Sequence, residues 1–284
     1  MNEFELIDRY FKRDRYRADV LTGIGDDAAL VKPDLGRPML GALATLSAAP
    51  GESPDGAAFA RALSRTALNR LAAQGASPAW VTLGLTLPFA DSEWLKGFSA
   101  TLFSTIEPHG AMLIGGDTTR GPITATLIAH GSAPDERPGD ASSPRPGDPV
   151  YITGDLGGAA ERNDPRGLAD PRPPRVDEGC AAWPYTTAAG DLRESLAATL
   201  SRIIGRYGFG VEIHSDQLPV SAAGEEYFRR PGGARLLVDS SADAELCLVI
   251  GVDAEASFNQ VMAGFDSSCT RIGRVVKEAG VHLR

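Results

Sequence analysis

Two short motifs that combine glycine with aspartate are the parts of this chain best suited to do chemistry. Residues 23–29 read Gly-Ile-Gly-Asp-Asp-Ala-Ala, and residues 115–121 read Gly-Gly-Asp-Thr-Thr-Arg-Gly. Magnesium takes oxygen ligands in a near-octahedral array and usually bridges one or two carboxylates to phosphate oxygens. If the two motifs converge in space, they would form a site for phosphoryl transfer.

The elements around the second motif follow α/β order. Apolar residues alternate over residues 80–87 and again over 122–130, which is the period of a β-strand. Between them, Ser92 is predicted to cap a helix whose apolar residues recur every three or four positions and which ends near Pro108 and Gly110. The order is therefore strand, helix, strand and glycine-rich loop.

The composition changes after residue 131. Residues 131–147 are rich in Pro, Gly, Ser, Asp and Arg without periodicity, which indicates a linker or a hairpin excursion. We therefore predict an N-terminal domain over 1–137 and a C-terminal α+β domain over 138–284.

Three features of the second half are predicted from local patterns. Asp191 is predicted to cap a helix that ends at Gly208. Residues 235–238 and 245–250 are predicted to be short strands, and the proline-rich residues 163–178 are predicted to form a surface loop.

Composition narrows the class of protein. The 284 residues carry a net charge of −9, which argues against a nucleic-acid partner because phosphate backbones are bound by clustered Lys and Arg. No apolar run is long enough to span a membrane, and the N-terminus is acidic where a secretory signal is basic, so we expect no membrane partner and a cytoplasmic protein. The three cysteines are widely spaced, and we expect Cys247 to lie in the core.

At several motifs the sequence resembles the thiamine-monophosphate kinase family, whose superfamily includes aminoimidazole ribonucleotide synthetase. The resemblance covers nearly the whole chain and is strong because the segments occur in family order. The segments are residues 3–7 (Glu-Phe-Glu-Leu-Ile), 23–29, 71–76 (Leu-Ala-Ala-Gln-Gly-Ala), 114–121, 146–148, 153–157 (Thr-Gly-Asp-Leu-Gly) and 272–275.

This resemblance implies a fold and an activity. The fold would be the two-domain aminoimidazole ribonucleotide synthetase-like fold, α/β followed by α+β, with the N-terminal sheet pairing with its twin across a homodimer. The activity would be transfer of the terminal phosphoryl of ATP to thiamine monophosphate, a small phosphate substrate, with Mg²⁺ neutralising charge. The implied site residues are Asp26, Asp27, Asp117 and Glu194 for metal, Gly115, Gly116, Thr118 and Thr119 for the nucleotide, and Asp117 and Arg120 for catalysis.

Four segments depart from the family pattern. Two are in the second half, at residues 191–196 and at residues 240–246, where the family acids Asp243 and Glu245 remain.

The other two departures concern expected metal ligands. Ala44 and Arg70 stand where the family has aspartates, so the resemblance leaves Mg²⁺ binding in doubt. Helical periodicity over residues 59–74 places Arg70 on the apolar face. The guanidinium could therefore act as a fixed counter-ion among Asp26, Asp27 and Asp117, or it could extend to the rim away from the site.

Two functions remain open at this point. The chain could be an active ATP-dependent phosphotransferase of the thiamine-monophosphate kinase type. It could instead be a degenerate paralogue that keeps the fold and the dimer for a binding or regulatory role. Mg²⁺-stimulated ATP binding with turnover would distinguish the first from the second.

Overall fold

The computed structural model describes residues 3–14, 16–134, 143–161, 166–222, 224–240, 243 and 245–284. The chain divides into a first unit, Met1–Leu71 with Ala76–Ala133, and a second unit, Ala72–Gly75 with Pro134–Arg284. The domain boundary predicted between residues 137 and 138 lies outside the described residues. Within the described ranges, no helix has both the length and the apolar composition that a membrane span requires.

The first unit is built on a four-stranded sheet with strand order β3-β6-β4-β5. Strands β4 and β5 are parallel, whereas β6 is antiparallel to both β3 and β4. A two-stranded ribbon, β1-β2, lies outside this sheet. The elements are α1 (Glu3–Tyr10), β1 (Val20–Thr22), β2 (Leu30–Val31), β3 (Met39–Ser47), α2 (Gly56–Ala72), β4 (Ser77–Leu87), α3 (Ser92–Ile106), β5 (Met112–Arg120) and β6 (Thr124–Ser132).

The two faces of this sheet differ. Alternate residues of β4, including Val81, Leu83 and Leu85, are buried, as the period of two predicted. Helix α2 packs on this face, since a Cβ on Gly131 of β6 would lie 3.4 Å from the Leu71 side chain. The opposite face carries paired hydroxyls at Thr45–Thr126 (2.9 Å), Thr86–Thr119 (2.8 Å) and Ser47–Thr124 (3.2 Å).

Helix α3 confirms the predicted helix but corrects its cap. The buried face contains the four predicted apolar residues, Leu95, Phe98, Leu102 and Ile106. The cap is Asp91 rather than Ser92, because the Asp91 carboxylate accepts hydrogen bonds from the backbone N–H groups of Glu93 (3.0 Å) and Trp94 (3.2 Å). The helix is followed by a single 3₁₀ turn that ends at Gly110, which is left-handed with φ of 74°.

The second unit is built on a six-stranded sheet with strand order β12-β9-β11-β7-β10-β8. All neighbouring strands are antiparallel except β9 and β12, which are parallel. The elements are β7 (Pro149–Thr153), α4 (Gly158–Glu161), α5 (Val176–Ala182), β8 (Thr186–Asp191), α6 (Leu196–Gly205), β9 (Gly210–Ile213), α7 (Glu225–Phe228), α8 (Gly233–Asp239), β10 (Leu246–Ile250), α9 (Glu255–Met262), β11 (Cys269–Val276) and β12 (Gly280–Leu283).

Both faces of the second sheet are covered. Along β10, Cys247 and Val249 belong to one apolar cluster, whereas Leu248 and Ile250 belong to another. The alternation of strand side chains sends successive residues to opposite faces. Cys247 is fully buried, as predicted, and burial raises its pKa to about 12.

Two local predictions in this unit were wrong. Asp191 ends β8, and Ser195 caps α6 by accepting a hydrogen bond from the backbone N–H of Ala198 at 3.1 Å. Residues 235–238, predicted to be a strand, belong to α8. The Arg235–Asp239 pair at 2.6 Å joins residues four apart, which supports a helical turn that a short apolar run does not specify.

Candidate functional site

The two glycine-and-aspartate motifs converge on one cavity in the first unit. The cavity has a volume of about 390 Å³ and lies along β5, the edge strand of the four-stranded sheet. Its walls include residues 24–29 of the first motif and residues 115–118 of the second. This volume is within the range of roughly 300–1,000 Å³ that is typical of small-molecule sites.

Backbone geometry explains the glycines of the motifs. Gly25 has φ of 133°, a conformation that side chains disfavour. An added Cβ on Gly116 would overlap the Leu83 carbonyl oxygen, so any larger residue there would push β5 away from β4. Gly115, in contrast, has open space in front of it except for Ala29 at 3.9 Å. The two glycines of β5 therefore allow close strand packing and leave room along the cavity wall.

Four carboxylates line the cavity, and three of them, those of the two motifs, are available to a ligand, whereas Asp8 pairs with Lys12. Asp26, Asp27 and Asp117 are exposed, and none forms an ion pair with another residue of the described chain. In that part of the chain, no group of three or more His, Cys, Asp and Glu side chains is arranged to hold a metal ion by itself. This donor set fits Mg²⁺ that arrives with a nucleotide, because one or two carboxylates then suffice and phosphate oxygens and water complete the shell.

Of the remaining predicted residues of the second motif, one lines the cavity and two do not. Thr118 lines the cavity together with Gly115 and Gly116. The Thr119 hydroxyl instead pairs with Thr86 on the open face of the sheet at 2.8 Å. Arg120, the last residue of β5, donates from Nε to the Pro88 carbonyl oxygen at 3.2 Å. Neither Thr119 nor Arg120 contributes to the wall of the cavity.

Arg70 lies at the other edge of the sheet, which corrects the counter-ion hypothesis. Its guanidinium donates to the carbonyl oxygen of Leu43 on β3. Leu43 and Gly115 occupy the same row of the sheet but are separated by β6 and β4. Three strand spacings amount to about 14 Å. Arg70 therefore supports a carbonyl of the edge strand β3 and does not line the cavity that contains the aspartates.

Ala44 also faces away from Asp117. Its side chain is 2% exposed, on the helix-covered face of β3. The row of the sheet that contains Asp117 continues through Gly84 and Thr126 to Thr45, so Thr45 shares the face of Asp117. The cavity and its motif carboxylates, Asp26, Asp27 and Asp117, are thus formed without Ala44 or Arg70.

Glu194, the fourth predicted metal ligand, belongs to the second unit. It lies on the loop between β8 and α6, and its side chain is exposed. Its carboxylate is 3.7 Å from Nε of Arg202. A role for Glu194 in metal binding remains a prediction.

The second unit contains a buried ion-pair network that sequence reasoning missed. Arg172 and Arg175, both within the predicted surface loop, bind Glu245 at 2.9 and 2.7 Å. Arg172 also binds Asp170 at 2.7 Å, and Thr153 donates its hydroxyl to Glu245 at 2.7 Å. Glu245 is fully buried, so Arg172 and Arg175 anchor this part of the loop to the core of the second unit.

The electrostatics of this network follow from burial. Burial raises the pKa of Glu245, and the neighbouring Arg175 and Arg172 charges oppose that shift. Burial also raises the pKa of Asp243, whose carboxylate accepts hydrogen bonds from the backbone N–H groups of Gly157 and Ala159, each at 3.1 Å. The two acidic residues retained from the family motif are therefore engaged in holding the second unit together.

Comparisons with known proteins agree with this architecture. Residues 25–133 match the family model of the AIR synthase related protein, N-terminal domain. The chain is 38% identical to thiamine-monophosphate kinase of Salmonella typhimurium, over 87% of this chain and 82% of that protein. The crystal structure of thiamine-monophosphate kinase from Stenotrophomonas maltophilia K279a is 31% identical, with a TM-score of 0.87 and coverage of 99% and 96% of the two chains. AaThiL complexed with AMPPCP and TMP, at 19% identity and a TM-score of 0.72, covers 89% of this chain and 85% of its own, and shares the fold.

The mixed α/β fold and the cavity along β5 define a protein of the AIR synthase-related class, which confirms the predicted fold class. Within that class, the identity to relatives over most of the chain is decisive. The chain belongs to the thiamine-monophosphate kinase family.

Proposed function

We propose that this chain transfers the terminal phosphoryl of ATP to thiamine monophosphate, giving thiamine diphosphate and ADP. The observation that supports this most directly is the convergence of both acidic motifs on a single cavity in the first unit. The family relationship supplies the substrate class, since the relatives that match most of the chain are thiamine-monophosphate kinases. The similarity does not favour the alternative of a paralogue without turnover.

In this proposal, Asp26, Asp27 and Asp117 hold Mg²⁺ against the phosphates, with Glu194 as a further ligand. Phosphoryl transfer depends mostly on positioning and on neutralising the charge of the transferred group. Thr118, with Gly115 and Gly116, would contact the nucleotide along the cavity wall. Thr119 and Arg120 lie near and at the end of β5, outside the cavity wall. The nucleotide-binding role of Thr119 and the catalytic role of Arg120 stay predictions.

Turnover tests the proposal. The full-length protein is incubated with ATP, Mg²⁺ and thiamine monophosphate, and products are followed by phosphorus NMR. We expect equal amounts of ADP and thiamine diphosphate, and no product when EDTA removes the metal. ATP binding without product would instead support the degenerate paralogue, and product formation at the same rate in EDTA would exclude the metal role of the aspartates.

We also propose that the chain forms a homodimer through the open face of the first sheet. This face carries the paired hydroxyls of Thr45 and Thr126, and Leu43 on it is 49% exposed. An exposed leucine among neutral hydroxyls suits burial against an identical face better than it suits solvent. Sedimentation equilibrium should give a dimer for the wild type and a monomer for Leu43→Asp. A monomeric wild-type protein at micromolar concentration would refute the dimer.

The remaining predictions concern organisation and location. Separate domains over 1–137 and 138–284 are proposed as folding units, and limited proteolysis between them would test this boundary. A cytoplasmic location and the lack of nucleic-acid and membrane partners stay predictions from composition.

A further inference from the structure

The first helix lines the cavity that contains the aspartates, although none of the roles proposed above uses it. Phe4, Ile7 and Asp8 of α1, together with Phe11 and Lys12 immediately after it, form part of the wall. On the side of α1, the wall thus has three apolar side chains beside the Asp8–Lys12 ion pair. On the side of the two motifs, it has aspartates that make no ion pair with any described residue. A nucleotide has the same division, with a flat apolar base at one end and anionic phosphates at the other.

The position of α1 is fixed by contacts on its inner side. The Phe11 ring packs edge-on against Phe98 of α3, with centroids 6.3 Å apart, and is 5% exposed. The Arg13 guanidinium lies over the Phe103 ring, 4.3 Å from its centroid. Phe11 contacts α3 and is also part of the cavity wall, so these contacts hold the segment in place beside the cavity.

Phe4 is the conspicuous residue at the start of the helix. Its side chain is 78% exposed, although it contributes to the cavity wall. Aromatic faces bind nucleobases by stacking, which tolerates any base because every base has a π-face. An exposed ring at the apolar side of the cavity has the chemistry required to cover a base.

Lys12 is the cation at the other end of the segment. It is the one basic side chain among the described residues that line the cavity, which also contains Asp8, Asp26, Asp27 and Asp117. Its ammonium lies 3.0 Å from Asp8, one helical turn earlier, and both side chains are more than half exposed. Such exposed pairs contribute little to stability, so Lys12 can exchange Asp8 for a phosphate oxygen at small cost.

The spacing of the two residues suits a nucleotide. Phe4 and Tyr10 are six helical residues apart, about 9 Å along the axis at 1.5 Å per residue, and Lys12 follows two residues beyond the end of α1. Lys12 also borders the adjoining cavity that contains Gly25 and Asp26, so Lys12 and the first acidic motif share a cavity wall. A base near Phe4 therefore directs its phosphates towards Lys12 and the aspartates.

We infer that α1 is the nucleotide-recognition helix of this protein, in which Phe4 stacks on the base and Lys12, oriented by Asp8, binds the phosphates. This inference rests on the proposed function for the identity of the nucleotide as ATP. It assigns Lys12, rather than Arg70, as the positive group of the acidic cavity.

A crossed titration tests the two roles separately. Calorimetry measures the binding of Mg-ATP and of Mg-tripolyphosphate, which has phosphates but no base, to the full chain. Phe4→Ala should weaken ATP about tenfold and leave tripolyphosphate unchanged. Lys12→Ala should weaken both ligands about tenfold, and Lys12→Arg should restore most of that loss.

The matched control is Arg9→Ala on the same helix. Arg9 is exposed, lies over the Tyr10 ring at 5.4 Å and is not part of the cavity wall. Arg9→Ala removes the same charge as Lys12→Ala. Because Arg9 is outside the cavity wall, we expect its loss to change the affinity for either ligand less than twofold. Thermal unfolding of each variant verifies that α1 still packs on α3.

Several outcomes would overturn the inference. These are an unchanged affinity in Lys12→Ala, an equal loss in Arg9→Ala, or a loss of both ligands in Phe4→Ala. A wild-type protein that binds neither ligand would also overturn it. Failure of the proposed function is distinguishable: if the crossed pattern holds but no thiamine diphosphate forms, the turnover proposal fails and the role of α1 stands.

Discussion

The motif aspartates of the first unit and Glu245 of the second unit lie in opposite environments. In the first unit, Asp26, Asp27 and Asp117 are exposed along a cavity and make no ion pair within the described chain. In the second unit, Glu245 is fully buried and is bound by two arginines and a threonine hydroxyl. Both groups come from motifs that the sequence marks as characteristic of the family.

The difference separates residues that bind a ligand from residues that hold the fold. A buried carboxylate must be compensated within the protein, because an unpaired buried charge costs several kcal/mol. An exposed carboxylate keeps its water and can exchange it for a metal ion. Arginine pairing and burial, rather than motif membership, therefore indicate which acidic residues are available for chemistry.

Removing Glu245 gives the largest expected effect. Glu245→Ala leaves Arg172 and Arg175 without their shared carboxylate, and breaking a buried pair of this kind costs about 3–5 kcal/mol. Urea unfolding monitored by circular dichroism should show this loss. Asp117→Ala is the control and should change the free energy of unfolding by less than about 1 kcal/mol. Equal losses in the two variants would remove the distinction between the regions.

Removing charge from the cavity should affect activity rather than stability. We expect Asp117→Asn to lower kcat/KM at saturating Mg²⁺ by roughly 100-fold, the scale observed when one group that stabilises transferred charge is lost. Asp34→Asn is the matched control, because Asp34 is exposed and accepts a hydrogen bond from Gly36 N–H at 2.9 Å outside the cavity. A kinase assay in which both variants match the wild type would exclude Asp117 from the site.

Arg70 provides a smaller test within the first unit. Arg70→Ala removes the hydrogen bond to the Leu43 carbonyl and should cost about 1 kcal/mol of stability. Because Arg70 lies at the β3 edge, we expect Mg²⁺ and ATP affinity to change less than twofold in calorimetry. A large gain in Mg²⁺ affinity would restore the idea that this guanidinium occupies the position of the metal.

The pH dependence of the first unit gives the smallest expected effect. Burial lowers the pKa of His130 below its ordinary value of 6.5. The pKa of His130 is therefore lower in the folded state than in the unfolded state. At a pH between the folded and unfolded pKa values, the unfolded state binds more protons, so stability falls as pH decreases below about 6.5. His130→Gln should flatten this decrease in thermal unfolding measured from pH 7.5 to 5. A decrease that persists unchanged in His130→Gln would assign it to other groups.

Local patterns predicted the elements that position the site. The alternation in β4, the helical spacing in α3 and the two glycine-and-aspartate motifs follow from interactions between near neighbours in sequence. Helical periodicity also placed Arg70 partly inward. It could not indicate the edge of the sheet that Arg70 reaches, because that depends on the strand order β3-β6-β4-β5.

The ion-pair network could not be predicted for a similar reason. Arg172 and Arg175 meet Glu245 across 73 and 70 residues of sequence. A loop rich in proline and arginine has the composition of a solvent-exposed segment. Nothing in the local sequence distinguishes a loop that is anchored by buried ion pairs from one that is exposed. The sequence shows that Asp243 and Glu245 are retained just before β10. It does not show their partners, which include residues 70 and 86 positions earlier in the chain.

The most direct test of the distinction between the two regions is a Mg²⁺-dependent ATP titration. Calorimetry compares the wild type with the double variant Asp26→Asn, Asp27→Asn, each with and without Mg²⁺. We expect Mg²⁺ to strengthen ATP binding to the wild type and to have no such effect on the double variant. The unfolding midpoint of the double variant should equal that of the wild type. Equal Mg²⁺ stimulation in both proteins would contradict the assignment of this cavity as the metal and nucleotide site.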